Sequence, residues 1–148
     1  MAIWQFDLFV FSRHGMLPML SDDGWELPLL PAQSTLAAQR SLIGSLGRPW
    51  LMMADWIVFG HENGTRIDFL FDSADMAEIR VRLDASCTPT DIDAVCAFTR
   101  ELDSQLFDPL TQSLIAPGPA ALRRALDASP AAAFSRDPAL YLSGLKKD

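Results

Sequence analysis

Three residues that directly follow the first apolar segment could do chemistry: Ser12, Arg13 and His14. A histidine can act as a nucleophile or a general base near neutral pH, and the planar fork of an arginine holds phosphate oxygens. Arg13 and His14 are therefore the candidate catalytic residues of this chain.

The run Arg13-His14-Gly15 resembles the motif of the histidine phosphatase superfamily. The resemblance implies that His14 is the phosphorylated nucleophile and that Arg13 binds the phosphate. It ends after these residues, because the family continues with a hydroxyl residue and a helix where this chain has Met16-Leu17-Pro18. The family also uses a second histidine at the ends of parallel strands, whereas the other histidine here, His61, lies in a predicted antiparallel hairpin.

Other catalytic and metal-binding patterns do not occur in the sequence. There is no GxSxG, GxGxxG or GxxxxGK[ST] motif, and Gly44-Ser45-Leu46-Gly47 only approximates the first of them. Asp22, Asp23 and Glu26 form a tight acidic cluster without the alternating ligands of a calcium loop and without a nearby histidine or cysteine. We therefore predict no metal and no cofactor, and a non-catalytic protein is favoured over an enzyme.

Composition limits the class of partner. The 148 residues include 12 basic and 19 acidic side chains, and the resulting net charge of −7 argues against nucleic-acid binding. An acidic surface first of all keeps a protein in solution, and secondarily it attracts a basic protein partner. Cys87 and Cys96 lack the spacing of a redox or zinc site, so we expect both to be reduced and buried. The N-terminal segment has Asp7 inside its apolar run and lacks a basic region, and no run is long enough to span a membrane. A cytoplasmic protein with no membrane contact is expected.

Periodicity and turn residues predict one α+β domain over residues 1–148. A first strand covers residues 3–11, a long loop covers 12–30, and a helix follows over 31–46. A second helix over 88–105 begins with a capping box at Thr88 and Asp91. Short strands follow at 106–109 and 113–115, and residues 119–145 form short helical segments.

Residues 55–84 predict a three-stranded antiparallel meander. If Asn63-Gly64 closes the first hairpin as a type I′ turn, alternate residues of the first two strands pair on the core face: Trp56 with Phe71, Val58 with Phe69 and Gly60 with Ile67. The second hairpin then pairs Ile67, Phe69 and Phe71 with Leu83, Val81 and Ile79. On the opposite face it forms two pairs of unlike charge, Asp68 with Arg82 and Arg66 with Asp84.

This order of elements, β-α-β-β-β-α-β(β)-α, predicts a mainly antiparallel sheet of four to six strands with the helices on one face. A split βαβ arrangement, a variant of the ferredoxin-like fold, fits the order. The sheet face away from the helices would then be at least partly exposed.

The predicted binding surface combines this outer sheet face with the long loop. Its residues are Asp22, Asp23, Trp25, Glu26, Ile57, Phe59, His61, Asp68, Leu70, Arg80 and Arg82. The layout and acidity resemble small bacterial orphan proteins of the toxin-immunity type, and this resemblance implies a dedicated protein partner without assigning functional residues. Two alternatives stay open: the phosphoryl-transfer enzyme, and a homodimer that uses the outer face.

Overall fold

Ten strands and five helices form from residues 4–145, the part of the chain that the computed structural model describes. The strands are β1 Gln5–Ser12, β2 Met19–Ser21, β3 Gly24–Glu26, β4 Leu30–Pro31, β5 Trp50–Met53, β6 Trp56–Gly60, β7 Arg66–Ser73, β8 Met76–Asp84, β9 Ser104–Asp108 and β10 Ser113–Ile115. The helices are α1 Leu36–Leu46, α2 Pro89–Glu101, α3 Pro119–Asp127, α4 Pro130–Arg136 and α5 Pro138–Leu145. Ile3, the predicted start of the first strand, lies outside the described residues.

The mixed α+β class and the mainly antiparallel sheet confirm the prediction, and the sheet has eight strands where four to six were expected, because the short strands β4 and β5 add to it. Seven strands follow the order β10-β9-β1-β8-β7-β6-β5, and β4 pairs with β8 beyond the end of β1. The first strand therefore lies between β8 and β9, as in a split βαβ arrangement. It is antiparallel to both neighbours, whereas a ferredoxin-like sheet pairs its first strand in parallel with one of them.

The helices cover one face of the sheet and enclose the main core with it. Phe6, Leu8 and Val10 of β1 point to this face, where α2 supplies Val95 and Phe98. The predicted capping box at the start of α2 is confirmed, because the Thr88 hydroxyl accepts from the Asp91 amide and the Asp91 carboxylate accepts from the Thr88 amide. This cap fixes where α2 begins and so which of its faces meets the sheet.

The predicted register of the meander is wrong by one residue in its first hairpin. Phe59 pairs with Ile67 and Ile57 with Phe69, so these residues face the core, and Val58 lies opposite Asp68 on the outer face. The cause is Gly60, whose φ of 105° starts a connection over residues 61–65 in place of a two-residue turn. Since side chains alternate along a strand, a slip of one residue exchanges the two faces.

The second hairpin is shifted by two residues, which keeps every side chain on its predicted face. Ile67 pairs with Val81, Asp68 lies opposite Arg80, and Arg66 lies opposite Arg82. The predicted cross-strand pairs Asp68–Arg82 and Arg66–Asp84 therefore do not form. Instead, Asp68 and Arg80 each pair with a residue of their own strand, and Arg82 pairs with Asp7 of β1.

Two helix predictions also differ from the structure. The helix predicted over residues 31–46 begins as an α-helix only at Leu36, because Ala32–Thr35 form a 3-10 turn, and its buried residues are Ala38 and Leu42. The second helix ends at Glu101, because Asp103 adopts a left-handed conformation (φ 49°) that no helix continues through. Residues 104–105, predicted as helix, begin strand β9 instead.

Candidate functional site

The loop after β1 folds back over the outer face of the sheet as an arm, defined here as residues 16–28. Its strands β2 and β3 pair with each other and form a separate two-stranded sheet. Trp25 and Leu27 hold the arm in place by packing against Phe9, Phe11 and Phe107. The rings of Trp25 and Phe107 meet edge to face with their centroids 5.1 Å apart. Trp25, predicted as a binding residue, thus anchors the arm.

The arm exposes large apolar side chains. Met16, Leu17, Met19 and Leu20 are 72%, 57%, 55% and 61% exposed. The first three line a shallow recess of about 220 Å³, together with Glu26 and Pro28. The sequence analysis did not single out these four residues, although their apolar character on a loop rich in turn residues could have marked them.

The other predicted residues of the arm form an acidic rim beside these apolar side chains. Asp22 and Asp23 occupy the turn between β2 and β3, and both are exposed. Glu26 pairs with Met19 across the hairpin and is also exposed. Within residues 16–28 there are three acids and no lysine or arginine. The arm therefore presents an apolar surface with a net negative charge.

The outer face beside the arm carries a chain of charged side chains. Asp68 accepts hydrogen bonds at Oδ2 from Arg66 Nη2 (2.9 Å) and from Trp56 Nε1 (3.0 Å). Arg82 donates from Nε to Asp7 Oδ1 at 2.8 Å. The pair Arg66–Asp68 is almost fully buried, whereas Arg82 and Asp7 are half-buried.

Arg80, at the outer end of this chain, donates from Nε to Glu78 Oε2 at 2.7 Å, and its guanidinium carbon lies 5.7 Å from the centroid of the Phe9 ring. The structure therefore brings Asp68, Arg80 and Arg82 together on the outer face, as predicted. It adds Asp7, Trp56 and Phe9, which the sequence analysis did not include in the surface. The correct register would have placed Trp56 there.

Three other predicted surface residues, Ile57, Phe59 and His61, lie elsewhere. Phe59 is buried in the core and Ile57 packs against it, so neither belongs to the outer face. The substitution Phe59→Asp would therefore disrupt the core and could not serve as a test of an interface. Leu70 is on the outer face as predicted, between Trp56 and Glu78, and is half-buried next to Leu29. His61 lies in the loop between β6 and β7, where its Nδ1 accepts from the Asn63 amide.

Arg13 and His14 meet an acidic partner that the sequence analysis missed. Strand β1 ends beside the start of β9, with Ser12 opposite Ser104, and this pairing brings Asp103 next to both residues. His14 Nε2 lies 3.0 Å from Asp103 Oδ2, and Arg13 Nε lies 3.5 Å from Asp103 Oδ1. A depression of about 460 Å³ lies beside them and includes Arg100. All three side chains of the cluster are largely exposed.

The two histidines lie at opposite ends of the sheet. His14 follows the last residue of β1, whereas His61 follows Gly60, which is level with Arg66, Arg82 and Asp7 near the start of β1. At about 3.3 Å per strand residue, the separation is on the order of 20 Å. Within residues 4–145, no three histidine, cysteine or acidic side chains gather closely enough to hold a metal ion.

Both cysteines are free and buried, as predicted. Burial raises the pKa of the Cys96 thiol from its ordinary value of 9.0 to about 11, and the nearby Arg100 offsets part of this effect. Burial likewise raises the pKa of Cys87. Since the thiolate is the reactive form, neither cysteine is suited to act as a nucleophile near neutral pH.

Comparison with protein-family models, with curated proteins and with solved structures gave no match for this chain. The helices described between residues 4 and 145 include none that is long and apolar enough to cross a membrane. The fold and the site thus define a class of protein: an α+β domain with an arm over its sheet that has exposed apolar side chains and a net negative charge.

Proposed function

We propose that this protein is a non-catalytic binding module that holds a basic protein partner against the arm. The exposure of Met16, Leu17, Met19 and Leu20 on an anchored hairpin is the observation that supports it most. Folded monomers rarely expose apolar side chains in a contiguous patch unless the patch binds something. Methionine is well suited to such a surface, because its unbranched side chain adapts to a partner's shape.

Charge supports a basic partner. Asp22, Asp23 and Glu26 are exposed on the same arm as these apolar residues, and the whole chain carries a net charge of −7. Complementary charge accelerates association and discriminates against acidic competitors. An immunity protein that covers the basic active site of a toxin is one version of this proposal. The free state of Cys87 and Cys96 is in keeping with the cytoplasmic location that we also propose.

Affinity capture with matched variants tests the proposal. The protein and the double variant Leu17→Asp/Met19→Asp are used as baits in lysate of the source organism, and Leu140→Asp, equally exposed on α5, is the control. We expect a basic protein that binds the wild type and the control but not the arm variant. The purified partner should then form a stoichiometric complex that weakens at about 0.5 M salt, where charges are screened.

Two results would contradict this proposal: no stoichiometric partner in any capture, or a partner that the arm variant retains. Light scattering of the purified protein addresses the homodimer alternative directly. A dimer that persists in the wild type and dissociates in Leu17→Asp/Met19→Asp would mean that the arm binds a second copy of this chain instead of a basic partner.

Phosphoryl transfer stays a second candidate because of one geometric observation, the contact of 3.0 Å between His14 and Asp103. A carboxylate beside a histidine fixes the orientation of the ring. Arg13 and Arg100 could hold a phosphate at the adjoining depression. If this candidate is correct, the protein hydrolyses p-nitrophenyl phosphate, and His14→Ala abolishes the turnover. Equal turnover by the wild type and His14→Ala would exclude it.

A further inference from the structure

The recess on the arm has the size of a single side chain. It measures about 220 Å³, and all of its lining residues, Met16, Leu17, Met19, Glu26 and Pro28, belong to the arm. Typical small-molecule pockets measure about 300–1,000 Å³, so this recess has room for one long side chain and not for a whole substrate. It is therefore suited to one residue of a larger molecule.

Most of the recess is apolar. Met16, Leu17 and Met19 are each more than half exposed, and Pro28 is half-buried beside them. A chain of methylene groups that lies against these side chains removes apolar surface from water on both sides, which stabilises the contact. The methionines add adaptability, because their unbranched side chains can change rotamer to follow the shape of such a chain. The walls thus favour an alkyl segment.

Glu26 gives the recess its single charged group. It lies opposite Met19 in the pairing of β2 with β3. Side chains of directly opposed residues project to the same face of a sheet, with their Cβ atoms about 4.5–5.5 Å apart. Glu26 is exposed, and none of the ion pairs formed within residues 4–145 includes it. A ligand that enters the recess can therefore reach its carboxylate.

The combination of apolar walls and one carboxylate selects among occupants. An uncharged alkyl group covers the walls, but it displaces water from Glu26 without giving the carboxylate a partner. A short cation reaches Glu26 and leaves the walls in water, and an anion is repelled by Glu26 and by Asp22 and Asp23 of the same hairpin. Lysine and arginine side chains carry an alkyl stem that ends in a cation, so they match both parts of the recess.

We propose that the recess binds a single lysine or arginine side chain of the protein partner. The alkyl stem of this side chain lies against Met16, Leu17 and Met19, and its cationic end donates to the Glu26 carboxylate. The inference rests on the proposed function only for the source of the side chain. It goes further in one respect: the basic residue itself fills the apolar recess, whereas separate apolar and basic residues of a partner would satisfy the arm as well.

A titration with capped amino acids tests both parts of the match, with the methyl signals of Met16 and Met19 in isotope-labelled protein as the NMR reporters. The N-acetyl N-methylamides of lysine and arginine should shift these signals with dissociation constants of about 5–50 mM, as expected for the contacts of a single side chain. The norleucine derivative has the alkyl stem without the charge, and the diaminopropionic acid derivative has the charge on a shortened stem. Each should bind about twofold to fivefold more weakly, the range expected for one exposed ion pair or for partly buried methylene groups.

Two variants locate the contact of the cation. Glu26→Gln keeps the size of the side chain and removes its charge, so this variant should bind the lysine and norleucine derivatives about equally. Asp22→Asn is the matched control, because it removes the same charge from the same hairpin outside the recess, and it should keep the preference for lysine. Both positions are exposed, so the fold should tolerate either substitution. The two preferences separate a contact with Glu26 from the general attraction of a cation by an acidic protein.

A preference for lysine, arginine or both over norleucine that is lost in Glu26→Gln and kept in Asp22→Asn supports the proposal. Three results overturn it: equal binding of norleucine by the wild type, a preference that survives Glu26→Gln or is lost equally in Asp22→Asn, and no shift of the two methyl signals up to about 200 mM. Affinity capture gives a separate answer. A captured basic partner without a preference for lysine or arginine refutes the subsite alone, and such a preference without a captured partner refutes the proposed function alone.

Discussion

Single residues decide how the meander is built, and Gly60 has the largest effect. Its positive φ starts the five-residue connection that moves Phe59 into the core and Val58 onto the outer face. Any other residue at this position would be strained, and its Cβ would collide with the carbonyl oxygen of Thr65 and lie 2.9 Å from Arg66 Cα. The register thus depends on a residue without a side chain.

The substitution Gly60→Ala should therefore destabilise the fold by at least about 2 kcal/mol, since it combines backbone strain with a steric clash. Gly44 is the matched control. It lies in α1 with open space around a built Cβ, and Gly44→Ala should stabilise the protein by about 0.5–1 kcal/mol through helix propensity. Urea denaturation measures both. Similar effects of the two substitutions would contradict the role assigned to Gly60.

Burial of Cys96 makes stability depend on pH in a defined window. An unfolded thiol loses its proton near pH 9.0, whereas the folded protein retains it until about pH 11. The stability that the buried, protonated thiol contributes is complete below pH 9.0 and is lost as the pH rises to about 11.

As the pH rises from 9.0 to about 11, the free energy of unfolding of the wild type should thus fall by about 3 kcal/mol more than that of Cys96→Ala. Chemical denaturation at a series of pH values measures the difference. Parallel curves for the two proteins between pH 9.0 and 11 would show that Cys96 does not titrate in this way.

The buried pair Arg66–Asp68 should respond very differently to single and double substitution. Arg66→Ala leaves the Asp68 carboxylate buried without its cation, and we expect a loss of about 3–5 kcal/mol. The double variant Arg66→Met/Asp68→Leu removes both charges and should recover most of that loss, since apolar replacements of a buried pair are often neutral. Denaturation curves measure the stability lost in the single and double variants. If the losses from the two substitutions simply add in the double variant, the prediction is wrong.

At the scale of elements, the sequence predicts what local chemistry determines. Thr88 and Asp91 mark the start of α2 correctly, because a capping box acts within one turn of chain. The cluster of Arg13, His14 and Asp103 was not predictable in the same way. It depends on the pairing of β1 with β9 and on the end of α2 at Glu101, and neither follows from a local pattern.

The arm is the element whose attachment is easiest to test. Its contact with the sheet centres on Trp25, so Trp25→Ala should release residues 16–28 while the main sheet stays folded. Amide hydrogen exchange should accelerate in β2 and β3 and remain slow in β7 and β8. Leu20→Ala, an exposed position on the same hairpin, is the control and should change neither. Faster exchange throughout the protein after Trp25→Ala would argue against an independent arm.

At the scale of the whole molecule, the fold class was predictable and the strand order was not. The alternation of Phe6, Leu8 and Val10 indicates a strand with one core face, and similar patterns give the helices and the meander. Which strands become neighbours depends on contacts far apart in sequence. The candidate surface was predicted in part for the same reason: Asp68, Arg80 and Arg82 lie together as expected, but Trp56 and Asp7 join them only through the observed register.

The position of β1 inside the sheet, between β9 and β8, also determines how late in synthesis the sheet can be completed. This strand is synthesised before both of its partners, and its two edges are covered only when Phe6 pairs with Leu83 and Val10 pairs with Leu106. At about 5–20 residues per second, its partners follow on the order of 4–20 s later on the ribosome. During that interval an apolar strand with two open edges is available to any other chain, so a chaperone that shields the nascent β1 would raise the yield of folded protein.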